Sequence, residues 1–259
     1  PVIAALSGFQ QAVHQQQQEL MAQTIPLQLW SGSDMVAKAS GFADDYPRGS
    51  PSDIFEERKY QEDAIQLLVH THSRTEVNRA LVVMATGLGK TRVACEFIRR
   101  ASQARPLKVL TLAHTNELVY QLEKSFWPYL KASQETLVWN GHEHQSFEDL
   151  ERSNFIFACI DTAADHVEKG RELPDFDIVF IDECHHAGDE GMYANLISEI
   201  AAGQPGGPFL VGVTATPWRP DESDLRDTFG DALVTVDLVT GLKKGFLSKV
   251  DYRMYTDNI

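Results

Sequence analysis

A lysine and a threonine close the run Thr86-Gly87-Leu88-Gly89-Lys90-Thr91. Those residue types in that order suit the holding of a polyphosphate. Glycines let main-chain N–H groups come close to an anion, the lysine adds charge, and the hydroxyl can ligate a divalent cation. The strict pattern has a further glycine where this chain has Met84, so the run also fits a Gly-rich structural turn. A second chemical pair, Asp182 and Glu183, lies in "FDIVFIDECHH", Phe176 to His186. A carboxylate at the end of a buried strand can ligate Mg²⁺, and its neighbour can orient or deprotonate water. The plainer reading is an acidic helix start that complements the helix dipole.

Both groups need a rigid frame. A phosphate loop must follow a buried strand and open a helix, so that the helix N-terminus faces the anion. "ALVVMA" supplies the strand and Lys90–Ala104 reads as the helix. Met84 then ends the strand, where an unusual φ is not required. Further strands are read in "LKVLTLA", "TLVW", "FIFACI", "DIVFID", "FLVGVT", "ALVTV" and "VDYRMY", with helices over Asn116–Leu130 and Tyr193–Ala201. Several of these strands are apolar throughout, as when helices cover both faces of a parallel sheet. The expectation is a doubly wound, mostly parallel α/β domain.

Bulk properties narrow the class. The chain has 259 residues, 43% hydrophobic and 23% charged, which suits one α/β domain and a small addition. No apolar stretch is long enough to cross a membrane, and the start lacks the pattern of a signal peptide. It opens on proline rather than methionine, and we expect it to be part of a longer protein. Its three cysteines, Cys95, Cys159 and Cys184, show no CxxC spacing. They read as core thiols in a reducing cytoplasm rather than zinc ligands or disulfides. The formal charge of −14 is unlike a dedicated nucleic-acid domain, although backbone contacts through amides and hydroxyls need little excess charge.

Taken in order, "ATGLGKT", "DECH" and "TATP" (Thr214–Pro217) resemble the first RecA-like domain of superfamily two helicases and translocases of the DExH type. "RKYQ", "TLAHTNELVYQ" and "ACIDTAAD" resemble the family's adenine signature and its motifs Ia and Ib. "GVTATPWRPD" and "DECHH" resemble the subgroup of restriction-enzyme motor subunits and repair translocases. The resemblance runs from about Phe55 to the C-terminus and implies ATP and Mg²⁺ as cofactors. Lys90 and Thr91 would hold phosphate and metal, with Thr86, Gly87, Leu88 and Gly89 as the cradle. Asp182 would hold Mg²⁺ through water and Glu183 would be the catalytic base. Gln61, helped by Arg58, would read adenine. His185 would contact the coupling residues Thr214 and Thr216, whose plainer reading is ordinary turn residues. His114, Thr115, Asp161 and Thr162 would contact nucleic acid, DNA rather than RNA by the subgroup.

The chain departs from that pattern in two ways. Motif Ia has Thr115-Asn116 where a basic residue is common, leaving a contact by hydroxyl and amide without charge. No QxxGRxxR-like segment follows "TATP". A second RecA-like domain would supply the arginine finger, whose loss costs ~10³–10⁵ in rate, so weak turnover is expected of this chain alone. Two rival readings are a nucleic-acid-binding module without turnover and the motor part of a restriction or phage-defence nuclease.

Residues 1–50 read as a separate extension, with 51–259 as the ATP-binding domain. A helix over Ala4–Gln23, a strand in "IPLQLW" and a helix capped by Ser33 or Asp34 lead to a linker over Ala43–Asp53. "IPLQLWSGSDMVAKASGF" resembles the closing strand and helix of Mrr-like restriction endonucleases. It contains no acidic–x–Lys pair, so any nuclease centre would lie upstream; a plain helical linker is the alternative. His142 and His144 read as a surface loop, and His70 and His72 as partly charged imidazoles suited to a helix C-terminus. "FWPYL" reads as packing, and Trp218 as a candidate nucleic-acid or interdomain contact.

Overall fold

The computed structural model of the chain describes residues 2–5, 18, 28–31, 58–74, 76–131, 133–141, 145–187, 191–216 and 225–248. They belong to two compact units, Pro1–Gly49 and Ser50–Ile259. In the first, β1 (Val2–Ala5) pairs in parallel with β2 (Gln28–Ser31), Val2 opposite Gln28 and Ala5 opposite Ser31. The strand expected in Ile25–Trp30 is thus met over Gln28–Trp30. The helix expected from Ala4 is corrected at its start, because Ala4 and Ala5 belong to β1. Two β-branched residues precede them, and pairing overrides the helix propensity of alanine. The second expected helix and the linker lie outside the described residues.

The second unit is built on a seven-stranded sheet in the order β5-β6-β4-β7-β8-β3-β9. The strands are β3 (Arg79–Met84), β4 (Val109–Ala113), β5 (Thr136–Trp139), β6 (Phe155–Cys159), β7 (Ile178–Ile181), β8 (Phe209–Thr214) and β9 (Ala232–Val236). All pairings are parallel. The helices are α1 (Lys59–His72), α2 (Lys90–Ala101), α3 (Asn116–Phe126), α4 (Phe147–Arg152), α5 (Ile160–Glu168), α6 (Met192–Glu199), α7 (Leu225–Phe229) and α8 (Leu238–Lys243).

Strand alternation divides the core into two layers. Val82, Val109, Phe157, Phe180 and Val211 face Leu68, Phe97 and Phe126 of α1, α2 and α3. Leu81, Leu110, Ile156, Val179 and Leu210 face Leu150, Ala163, Leu196 and Phe229 of α4 to α7. Each fully buried aliphatic or aromatic side chain contributes about 1.5–3 kcal/mol, which is why the inner strands carry almost no polar residue. Thr111 and Thr214 are buried exceptions; Thr111 donates its hydroxyl to Ile156 O at 3.1 Å.

Helix ends follow local chemistry. Helix α2 stops at Ala101 rather than Ala104, where Ser102 Oγ donates to Ile98 O at 2.8 Å. Helix α3 stops at Phe126, and Trp127–Tyr129 continues as a single 3₁₀ turn around Pro128, which lacks an N–H. Phe126, Tyr129 and Leu130 are buried as expected of "FWPYL", whereas Trp127 is exposed. His72 corrects the charged-cap reading. Its ring packs edge-on against Phe97 and Phe209, and burial, then Arg105, holds it below the ordinary imidazole range against the pull of Asp177. The strand expected in "VDYRMY", the His142–His144 loop and Trp218 lie outside the described residues. Among the described residues, no helix is long and apolar enough to cross a membrane.

Candidate functional site

Because the strands are parallel, the turns after their carboxyl ends share one edge of the sheet. In spatial order these turns carry Asp161-Thr162 (after β6), His114-Thr115 (β4), Asp182-Glu183 (β7), Thr214–Thr216 (β8) and the glycine loop (β3). The candidate nucleic-acid residues therefore sit on two adjacent strands. The candidate nucleotide residues sit on the next three.

The glycine loop is a cradle held from beneath by α1. Gly87 and Gly89 take φ of 84° and 85°, a region that side chains strain to enter. A Cβ on Gly89 would also stand 2.5 Å from the Gln61 amide nitrogen. Leu88 O accepts hydrogen bonds from Tyr60 Oη at 3.0 Å and Gln61 Nε2 at 2.8 Å. Thr86 is exposed at the rim, and Lys90 and Thr91 open α2. Met84 ends β3, as the sequence implied. Gln61 is only 5% exposed and its Oε1 accepts from Arg58 N at 3.2 Å. Its amide braces the loop here, with Arg58 on the exposed side.

Lys90 is 8% exposed and its Nζ stands 3.3 Å from Glu183 Oε1. Glu183 itself takes the left-handed conformation, φ 47° and ψ 51°. A non-glycine residue there costs about 1–2 kcal/mol, and this backbone turns the carboxylate toward the loop. The other oxygen, Oε2, lies 3.4 Å from His185 Nδ1, which also lies 3.0 Å from Thr214 Oγ1. Thr214 Oγ1 donates to Thr216 O at 3.0 Å and accepts from Thr216 N at 3.2 Å. With its only proton so placed, Thr214 acts as an acceptor toward His185. Carboxylate and hydroxyl together assign the imidazole proton to Nδ1. Burial first, with His114 and Lys90 adding and Glu183 opposing, holds His185 below the usual imidazole range. One chain of contacts thus joins the loop, the acidic pair and the turn after β8.

Asp182 lies deeper. Its main-chain N donates to Leu112 O at 3.1 Å. Its buried Oδ1 has no hydrogen-bond partner among the described residues. Burial, then the charge of Glu183, pushes its carboxyl above the ordinary range, against Lys90 and His114. A free carboxylate oxygen so destabilised by its surroundings fits a hard cation. Mg²⁺ binds through one or two carboxylates and keeps waters and phosphate oxygens. Thr91 and Asp182 fit that role.

The nucleic-acid candidates differ from one another. Thr115 caps α3, its hydroxyl accepting from Leu118 N at 3.3 Å, which leaves the O–H proton free to donate. Asp161 is exposed and Thr162 half-buried in the first turn of α5. The His114 ring instead packs on His186 with centroids 4.1 Å apart and planes tilted by 42°, and His186 on His185, also at 4.1 Å and tilted by 39°. It therefore faces the acidic pair. Tyr60, the aromatic of "RKYQ", lies against the loop; the segment around Phe246, also against it, was not singled out by the sequence, and only a long-range contact reveals it. An open hollow of about 1030 Å³, lined by Arg105, Glu172, Asp177 and Phe209 among others, lies at the opposite edge of the sheet. Chemistry rather than hollow size locates the site.

Comparison with known proteins agrees with this geometry. The chain is 29% identical over 226 residues to the type I restriction enzyme EcoAI endonuclease subunit of Escherichia coli, covering 85% of this chain and 26% of that one. The Hef helicase domain of Pyrococcus furiosus superposes with a TM-score of 0.63 at 24% identity, over 78% of this chain and 43% of that one. The ATP-dependent type ISP restriction-modification enzyme LlaBIII, solved bound to DNA, superposes with a TM-score of 0.56 at 16% identity. That match covers 94% of this chain and 19% of the enzyme. The chain thus spans about a quarter of the curated relative, and the solved structures share its RecA-like helicase fold. With residues 54–219 matching the model for "Type III restriction enzyme, res subunit", the chain belongs to that family.

Proposed function

We propose that this chain is the first motor domain of an ATP-dependent DNA helicase or translocase, acting within a restriction enzyme. The observation that carries the reading is the contact chain from Lys90 through Glu183 and His185 to Thr214, which ties a phosphate cradle to a coupling turn. Lys90 here occupies Glu183. An arriving terminal phosphate competes for the ammonium, and Glu183 then has an oxygen to accept a proton from the attacking water. The loop amides and Lys90 oppose the charge that builds on the phosphoryl oxygens. Mg²⁺, held by Thr91 and Asp182, would supply further neutralisation of the phosphates. His185, neutral and donating from Nδ1, ties the position of Glu183 to Thr214 and Thr216.

Thr115 and Thr162, by hydroxyl and amide, would take the backbone of DNA rather than RNA. Support for DNA comes from the relatives, two of which are restriction enzymes and one of which was solved on DNA. A second RecA-like domain would complete the site with an arginine. Residues 1–50 would trail from an upstream domain, with a nuclease favoured by the restriction relatives. Buried reduced cysteines suit a cytoplasmic setting.

Calorimetric titration tests the reading. Mg²⁺-dependent ATP binding is expected for the chain and is lost in Lys90→Ala, with the fold retained because Lys90 belongs to neither apolar core layer. Unfolding of Lys90→Ala at room temperature, or undiminished ATP binding by it, overturns the assignment.

A further inference from the structure

Strand β9 is the edge strand beside β3, and Ala85 N donates to Val236 O at 2.9 Å. The chain that follows β9 must therefore emerge next to the glycine loop. It forms α8, whose N-cap Asp237 accepts from Thr240 N at 2.6 Å, and then reverses. Gly245 N donates to Leu242 O at 3.2 Å and Phe246 N to Gly241 O at 2.8 Å. With Gly245 at φ 71°, this is a Schellman ending, which needs a left-handed residue at that place.

The reversal lays Phe246 and Leu247 on the nucleotide loop. The Phe246 ring lies 4.4 Å from that of Tyr60, whose hydroxyl holds Leu88 O. Leu247 Cδ2 stands 3.4 Å from where a Cβ on Gly87 would be. Phe246 O accepts from Arg58 Nη1 at 3.0 Å, and the same nitrogen reaches Tyr60 Oη at 3.3 Å. The exposed guanidinium is thus fixed at one end by a segment 188 residues away in sequence.

We propose that the Gly245–Leu247 strap is the base-side wall of the nucleotide site, with Phe246 as a positioning residue whose ring, seated on Tyr60, places the main-chain carbonyl that holds Arg58 for stacking on the nucleobase. A planar cation suits the face of an aromatic base, and the strap reaches the phosphate cradle through Leu247 at Gly87. It serves the base half of the ligand, while the glycine loop and Lys90 serve the phosphate half. This inference rests on the nucleotide reading above, and the two are separable by choice of probe.

The test is calorimetric titration of the chain with Mg²⁺-ATP and with Mg²⁺-tripolyphosphate, which has no base. Phe246→Ala should weaken ATP about tenfold and leave tripolyphosphate unchanged, while Phe246→Tyr restores ATP binding. Equal weakening of both probes, or of neither, overturns the proposal. Should Phe246→Ala fail to fold, Arg58→Ala, which removes an exposed side chain, must show the same discrimination or the proposal falls. Failure of the wild-type chain to bind either probe would instead sink the nucleotide reading itself.

Discussion

At the scale of single residues, burial decides which groups carry charge. Asp182 is kept from easy ionisation by its surroundings, while His185 is kept neutral beside a carboxylate. His72 gives the cleanest test because it lies away from the candidate site. Its folded pKa is below the free value of 6.5, so below about pH 6.5 the unfolded chain takes up a proton that the folded chain refuses. Stability then declines as pH falls, down to the folded pKa, and is unaffected by this group above that window. His72→Phe should reduce the drop in urea midpoint between pH 7 and pH 5. Reduction rather than abolition is expected, since burial also lowers His185 and His186. An unchanged slope would count against a neutral His72. The sequence suggested a charged cap because helix position was visible, whereas the rings of Phe97 and Phe209 come from other elements.

At the scale of elements, packing between strand and helix leaves little slack. Gly212 in β8 is overlain by α7 and by the turn after β7. A Cβ there would stand 2.7 Å from Phe229 ring carbons and 2.8 Å from Cys184 Sγ. Gly212→Ala is therefore expected to cost about 1–3 kcal/mol by overpacking, read as a lowered denaturant midpoint at unchanged m-value. A variant as stable as wild type would show that Phe229 and Cys184 yield freely. Most elements here were legible in the sequence. "TLVW" and "FLVGVT" match β5 and β8 end to end, because an apolar run between turn residues marks a strand, whether fully covered as in β8 or half-buried at the edge as in β5. Less legible were β1, where alanines suggested helix, and the strap after α8. The strap's meaning depends on a partner near residue 58, and no local pattern encodes so distant a contact.

At the scale of the whole molecule, the sheet gathers the candidate binding and coupling turns on one edge, which the proposed second RecA-like domain would face. Lys90 is already engaged by Glu183. The chain alone is expected to release phosphate from ATP ~10³–10⁵ more slowly than the parent motor, with little gain on adding DNA. A phosphate-release assay showing brisk, DNA-stimulated turnover by this chain would refute the division of labour. The order of the motif turns was readable because each follows an apolar strand; their adjacency in space was not, since strand order depends on crossovers. The three thiols of the chain are all sequestered within its layers, which has a practical corollary. A single new thiol on the rim remote from the catalytic edge, such as Asp175→Cys in an exposed turn, would be the one readily alkylated sulfur. A fluorophore or surface tether attached there would report on the chain without crowding the candidate site.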